Sequence, residues 1–362
     1  MKTTAAVLFR TAAPLEVVDL EVPVLQPGQV LVEVTYTGVC RTQWLECRGH
    51  RGTDRYLPHC LGHEGSGIVV DVGPEVRKAR PGQAVVLSWI KGDGAEVPGC
   101  TYRCGDTVVN AGAITTFAQH AVISENRLTP LPPSIPMREA AMLGCAVATG
   151  FGAVINACGA RPDQSVAVFG AGGVGSCAVL GAVAAVRCAT VIAIDRIDAK
   201  LDLAGRWGAT PIDIRRDDPV ERVAALCPGG CDFAIEATGR PEVMDQALRC
   251  VRPRGGAAVV IGNAPKGATL QIDPGQLNLG KRLLGTWGGD CAPDRDLPRF
   301  ANLIARRDID LTTLMSDDYP LSRINEALDD LESGRVVRAI VRPGPAPEPT
   351  HARAAGMAEL ST

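Results

Sequence analysis

Aromatic side chains are scarce in this chain, at 4% of residues, and its charges nearly cancel, leaving a net −3. So even a balance removes the electrostatic reason to expect nucleic acid or an anionic membrane as partner, and no basic patch or recognition helix stands out. The apolar run within Met1 to Arg10 is too short for a secretory signal, and the acidic Glu16, Asp19 and Glu21 argue against an organelle transit peptide. A cytoplasmic protein is expected. Val166 to Ile194 is the one stretch that could pass for a membrane helix. It carries Gly170, Gly172, Gly173 and Gly175 near its start and Arg187 inside it, so a buried strand, a glycine turn and a buried helix explain it better.

Glycine and cysteine, by contrast, are plentiful, at 40 and 13 residues. Many glycines with few aromatics suit the tight turns and close backbone contacts of an α/β protein. The cysteine count is odd and the residues are scattered, unlike a secreted disulfide framework, so reduced thiols and metal ligation are the better reading. Most of them are expected to pack as small hydrophobes. At 362 residues the chain can form two domains, each with its own core.

Within a first domain assigned to 1–146, roughly the first 130 residues read mainly as short strands, among them Val30 to Val34 and Gly67 to Val72, punctuated by Pro27-Gly28, Gly73-Pro74 and Pro81-Gly82. From about Cys145 strands alternate with helices. Strands are expected at 165–169, 190–194, 233–235 and 257–261, with helices at 175–185 and 199–207. That alternation predicts a doubly wound parallel sheet over 147–289. A helix over 322–333 and a strand over 336–341 close the chain, 290–344 being assigned to the first domain. The tail over 345–362 is expected to be disordered.

The strand Val166 to Phe169 runs into Gly170-Ala171-Gly172-Gly173-Val174-Gly175 and then a helix. Gly170 permits a tight turn, Gly172 admits a pyrophosphate to the backbone, and Gly175 lets helix and strand pack closely. Alone the pattern is weak, because glycines at such a corner can serve packing only. Asp195, at the end of the next strand, strengthens it. A carboxylate there can accept from the ribose hydroxyls and would repel the extra phosphate of NADP, so NAD is expected. Arg196 beside it leaves some room for NADP.

Three further pieces carry metal-ligand residues: Gly38-Val39-Cys40-Arg41-Thr42, Gly62-His63-Glu64-Gly65 and Gly144-Cys145. A lone cysteine or histidine is more often core than ligand. Together with the nucleotide motif, these pieces resemble the zinc-dependent medium-chain alcohol dehydrogenases from residue 27 to Arg338. The resemblance implies a GroES-like β-rich catalytic domain plus a Rossmann domain. It also implies one catalytic zinc on Cys40, His63 and Cys145, with Glu64 as alternate ligand and one position open to a substrate oxygen. Arg41 and Arg338 match positions on the cofactor pyrophosphate, Lys200 one near the adenosine ribose, and Ile261 joins the cofactor site. Thr42 matches the hydroxyl that takes the substrate proton and Trp89 a pocket-wall aromatic, while Asn263, also assigned to the substrate pocket, replaces an often aliphatic residue near the nicotinamide. The implied activity is hydride transfer between an alcohol and NAD, interconverting it with an aldehyde or ketone. A homodimer or homotetramer is expected, through the strand near Leu283 to Trp287.

Several positions depart from the family's pattern. Lys91 to Asn110 offers only Cys100 and Cys104 where relatives often place four cysteines, so no structural zinc is expected and the two thiols become loop residues. Gln43 stands in place of the aspartate that orients the metal-bound histidine; a neutral amide can still accept the imidazole N–H but lends less basicity, so a less tightly held metal is expected. Leu45 replaces a relay histidine, leaving His50 or water to end the relay. Lys91, His50 and Arg51 could recognise a polar substrate or could simply be solvated, and they lean toward a polyol or sugar-like alcohol. Gly288 to Asp296 resembles thiol-dependent formaldehyde dehydrogenases, which keeps a thiol–aldehyde adduct open. Competing readings are a zinc-free quinone or enoyl reductase, a non-redox or dismutation reaction with tightly held NAD, and a non-catalytic scaffold.

Overall fold

The structure is a computed structural model that describes residues 1–345. The expected disordered tail therefore lies, but for Pro345, outside the described residues.

The doubly wound sheet has six parallel strands in the spatial order Thr210–Asp213, Thr190–Asp195, Ser165–Phe169, Phe233–Glu236, Ala257–Val260 and Arg282–Gly285. Sequence order reverses between Ser165–Phe169 and Phe233–Glu236, which opens a crevice at their carboxyl ends. Val166, Ala167 and Val168 are fully buried, as a strand covered on both faces requires. The helix that follows runs from Gly173 to Leu180 and relaxes into a π turn over Gly181–Val186. It is apolar all round because it packs against the helix Ala146–Gly152. A Cβ on Gly150 would lie 2.6 Å from that of Cys177, so the two helices approach at the distance only a glycine allows. This packing explains the membrane-like hydropathy near residue 180. Among the described residues no single helix is long and apolar enough to cross a membrane.

The other part of the molecule is β-rich. A closed barrel joins Lys2–Leu8, Glu16–Glu21, Thr101–Cys104, Thr107–Asn110 and His59–Cys60. Beside it a seven-stranded sheet is built on the long strand Gln29–Val39, which pairs with Glu64–Val72, His120–Ser124 and the C-terminal Arg338–Arg342. The last described strand is thus sewn into a sheet built on residues 29–39. Val30, Val32, Val34, Val85 and Leu87 alternate inward to form one of its cores.

Most sequence-derived element boundaries hold to within one or two residues. The strands expected at 30–34 and 67–72 are longer, running over Gln29–Val39 and Glu64–Val72. Cys104 is also not a loop residue: it ends the first strand of the hairpin Thr101–Cys104/Thr107–Asn110, Cys100 immediately precedes it, and both pack on the barrel core. All 13 cysteines are unpaired.

Candidate active site

Strand ends and turns position the metal-ligand set. Cys40 caps the helix Arg41–Cys47 at the end of Gln29–Val39, and His63 leads into Glu64–Val72. Cys145 stands at the 60° bend between Met137–Gly144 and the helix beginning at Ala146. That bend turns its thiol out of the helix line to within 4.0 Å of the Cys40 sulfur. The Cys40, His63 and Cys145 ligand atoms all lie within 4.8 Å of one another. Both thiols are buried, and His63 Nε2 is buried without a hydrogen-bond partner. An orphaned imidazole nitrogen facing two thiols is the donor set of a zinc site with one open position, so the residues fit the metal. The thiol pair titrates asymmetrically. A hydrogen bond from Cys145 lowers the Cys40 thiol well below its ordinary range, and the same bond with burial raises Cys145.

Glu64 follows His63 and is fully buried. Its carboxylate pairs with Arg338, itself 2% exposed, and a Cβ on Gly38 would fall 2.2 Å from Glu64 Oε1. Burial raises the Glu64 carboxyl while Arg338 opposes the shift. Arg338 pairs with Glu64, 274 residues away, through Nη2, while its Cδ and Nη1 lie beside Gly173 at the crevice wall.

The crevice at the strand reversal measures about 530 Å³. Cys40, Arg41, Gly170, Gly172, Gly173, Val174, Gly175, Asp195, Arg196, Lys200 and Arg338 all line it. Gly170 has φ of +91°, and a Cβ on Gly175 would strike Gly170 O at 1.8 Å. A Cβ on Gly172 would meet nothing of the chain within 4 Å, so that face of the turn is open to a ligand. Asp195 is held at its rim. Its Oδ2 accepts from the Ala171 N–H at 2.7 Å, and its Oδ1 accepts from those of Arg196 and Ile197 at 2.7 and 3.1 Å. Burial lowers the Lys200 ammonium, and Asp195 opposes that shift. Ile261 is packed against the sheet core instead of lining the crevice.

On the substrate side, Asn263 Nδ2–H donates to Thr42 Oγ1 at 3.2 Å, a contact from one domain to the other. Trp89 follows Ser88, which pairs with Glu64 and donates to Gly144 O, and its ring meets Trp287 edge-on at 5.1 Å. Of the proposed polar recognition residues, Lys91 pairs with Glu96 at the surface, and His50 stacks on Trp44 at 5.0 Å. Leu45 is buried in the core. Trp44, which lines the crevice beneath Arg41 at 4.9 Å, was not foreseen; an aromatic two residues beyond Thr42 was its only signal. Nor was the second cluster, Glu46, Asp54 and His59, where Asp54 Oδ2 meets His59 Nε2 at 2.7 Å.

A dinucleotide crevice of this topology, abutting two buried cysteines and a half-buried histidine at the domain junction, defines a nucleotide-dependent metal dehydrogenase. Residues 26–133 match the alcohol dehydrogenase GroES-like domain and residues 173–306 the zinc-binding dehydrogenase domain. The chain is 34% identical to S-(hydroxymethyl)glutathione dehydrogenase of Synechocystis sp., over 94% of its own length and all of the relative's. It is 33% identical to the Escherichia coli enzyme of the same name, with the same coverage. Among solved structures it resembles benzyl alcohol dehydrogenase of Acinetobacter calcoaceticus, with a TM-score of 0.87 and 30% identity over 95% of this chain and 100% of that one. The chain belongs to the zinc-dependent medium-chain alcohol dehydrogenase family and is an oxidoreductase, with zinc and NAD(P) as the cofactors the family implies.

Proposed function

We propose that this enzyme oxidises primary alcohols, or reduces the matching aldehydes, with a single zinc on Cys40, His63 and Cys145 and NAD in the glycine-lined crevice. The convergence of three ligand atoms beside that crevice, with His63 Nε2 unpartnered, carries this reading. When bound, zinc supplies Lewis-acid polarisation of a substrate oxygen and the nicotinamide supplies the hydride acceptor. The chain's own residues orient and move the proton. Thr42 Oγ1 accepts from Asn263 at 3.2 Å, which leaves its second lone pair for the substrate proton and its own hydrogen free to donate toward the cofactor ribose. Glu64 stands by as an alternate ligand, its charge balanced by Arg338. The backbone-held Asp195 favours NAD over NADP, and Arg41 and Lys200 complete the cofactor wall.

Cys100 and Cys104 form no structural zinc site in this reading, since two thiolates cannot close a tetrahedron. Homo-oligomers form through the edge strand Arg282–Gly285, where Leu284 is exposed and Trp287 is 75% exposed. The enzyme works in the cytoplasm on small molecules. Thiol–formaldehyde adducts head the substrates because the curated relatives carry that activity in their names. The Trp89–Trp287 pair supports a second reading, a benzylic alcohol against an aromatic wall.

NADH formation across thiol–formaldehyde adducts, benzylic alcohols, polyols and simple alcohols tests the proposal. Steady NADH production from one of the first two classes is expected. Turnover without net NADH, or reduction of quinones or enoyl compounds instead, would contradict it.

A further inference from the structure

Gln43 lies on the first turn of the helix Arg41–Cys47, 5% exposed, between two groups with opposite demands. Its Oε1 accepts from the Gly62 N–H at 2.6 Å, and its Nε2 lies 2.9 Å from His63 Nδ1. The first contact fixes the amide's orientation, because a backbone N–H can only donate. Gly62 cannot turn away. Its φ is +92°, a Cβ there would lie 2.4 Å from Thr116 Oγ1, and the neighbouring Leu61 O is held by the N–H groups of Thr116 and Phe117 at 3.0 Å each. The amide NH2 therefore faces His63 Nδ1, which must accept. A neutral imidazole accepting at Nδ1 carries its proton on Nε2.

With Nδ1 taken by Gln43, the buried and unpartnered Nε2 is the nitrogen left for Cys40 and Cys145, and a metal there needs its lone pair. With the proton moved to Nδ1, two donors would confront each other across the 2.9 Å contact. Rotating the amide relieves that clash but leaves the buried Gly62 N–H facing another donor. Only an acceptor on both sides, a carboxylate, satisfies Gly62 and a metal-binding His63 together.

We propose that Gln43 is a positioning residue that holds metal-free His63 in the tautomer opposed to ligation, so that zinc is bound loosely and exchangeably. This rests on the zinc site proposed above. Glutamate has the same shape, so Gln43→Glu should tighten zinc binding roughly 10- to 100-fold, the range typical of partners to a metal-bound histidine. The test is chelator competition for zinc on the full-length wild type and variant, with histidine 15N NMR of both metal-free proteins. The His63 resonances would be assigned by their loss in His63→Ala. The expected result is tighter binding by the variant, with Nε2–H in the wild type and Nδ1–H in the variant. An added negative charge alone would tighten binding without changing the tautomer. Nδ1–H in the metal-free wild type would therefore overturn the proposal whatever the affinities, as would equal affinities. No zinc bound by either protein would instead fail the zinc site itself.

Discussion

Asp195 offers a perturbation whose size can be worked out from its surroundings. Both carboxylate oxygens are pinned by backbone N–H groups, from Ala171 on one side and from Arg196 and Ile197 on the other. A carboxylate has about four acceptor positions, so after these three contacts roughly one remains for a ribose hydroxyl. Asp195→Ala removes that charge-assisted bond, worth about 1.5–3 kcal/mol, and should lower kcat/KM for NAD by roughly 10- to 150-fold. It also removes the negative charge that would confront the extra phosphate of NADP, leaving Arg196 at the rim. Each ~1.4 kcal/mol of repulsion relieved adds another tenfold to the change in preference. The ratio of kcat/KM for NAD to that for NADP, measured with one alcohol, should fall by roughly 10²–10³ in total. Thermal melting serves as the control for folding. A ratio that stays within about threefold of wild type in a folded variant would refute the reasoning.

Four further outcomes are expected. Gly172→Val should leave the melting temperature unchanged while raising KM for the dinucleotide, because its Cβ meets nothing of the chain. Gly175→Val should instead destabilise, its Cβ lying 1.8 Å from Gly170 O; equal melting temperatures for the two variants would contradict this. Thr42→Val should lower kcat by roughly 10²–10⁴ with zinc content unchanged, and Thr42→Ser should largely restore it. Phe300→Ala, emptying a site where Phe300 meets Phe151 edge-on at 5.7 Å, should cost about 3–5 kcal/mol in denaturant unfolding. Burial raises the Glu236 carboxyl in the folded chain, so its contribution to stability is full at low pH and is lost as pH rises through the raised value. Melting temperatures of Glu236→Gln should therefore fall less than wild type between about pH 4 and pH 7.

How much of this was legible in the sequence depended on distance along the chain. The glycine turn and Asp195 could be read because strand, turn and helix are local, and their burial followed from uninterrupted apolar runs. The metal-ligand residues are 23 and 82 positions apart, and no periodicity links them; only the resemblance to a family did so. Long-range pairing was invisible. Arg338 was matched to a cofactor phosphate, and it does line the crevice, but its pairing with Glu64 across 274 residues left no trace in the sequence. Cys104 was read as a loop residue because a four-residue strand is too short for alternation to show. Lys91 and His50 found partners in Glu96 and Trp44 that composition does not reveal. Gln43 was read as an amide still able to accept the imidazole N–H, with a less tightly held metal; the Gly62 N–H on its other side instead turns its NH2 toward His63 Nδ1.

The central claim is that Cys40, His63 and Cys145 hold one catalytic zinc, and metal content of the purified protein tests it most directly. About one zinc per chain is expected, falling toward zero together with activity in Cys145→Ala. An active protein without zinc would contradict the account. About two per chain would contradict the single-site reading and direct attention to Cys100 and Cys104, or to Glu46, Asp54 and His59.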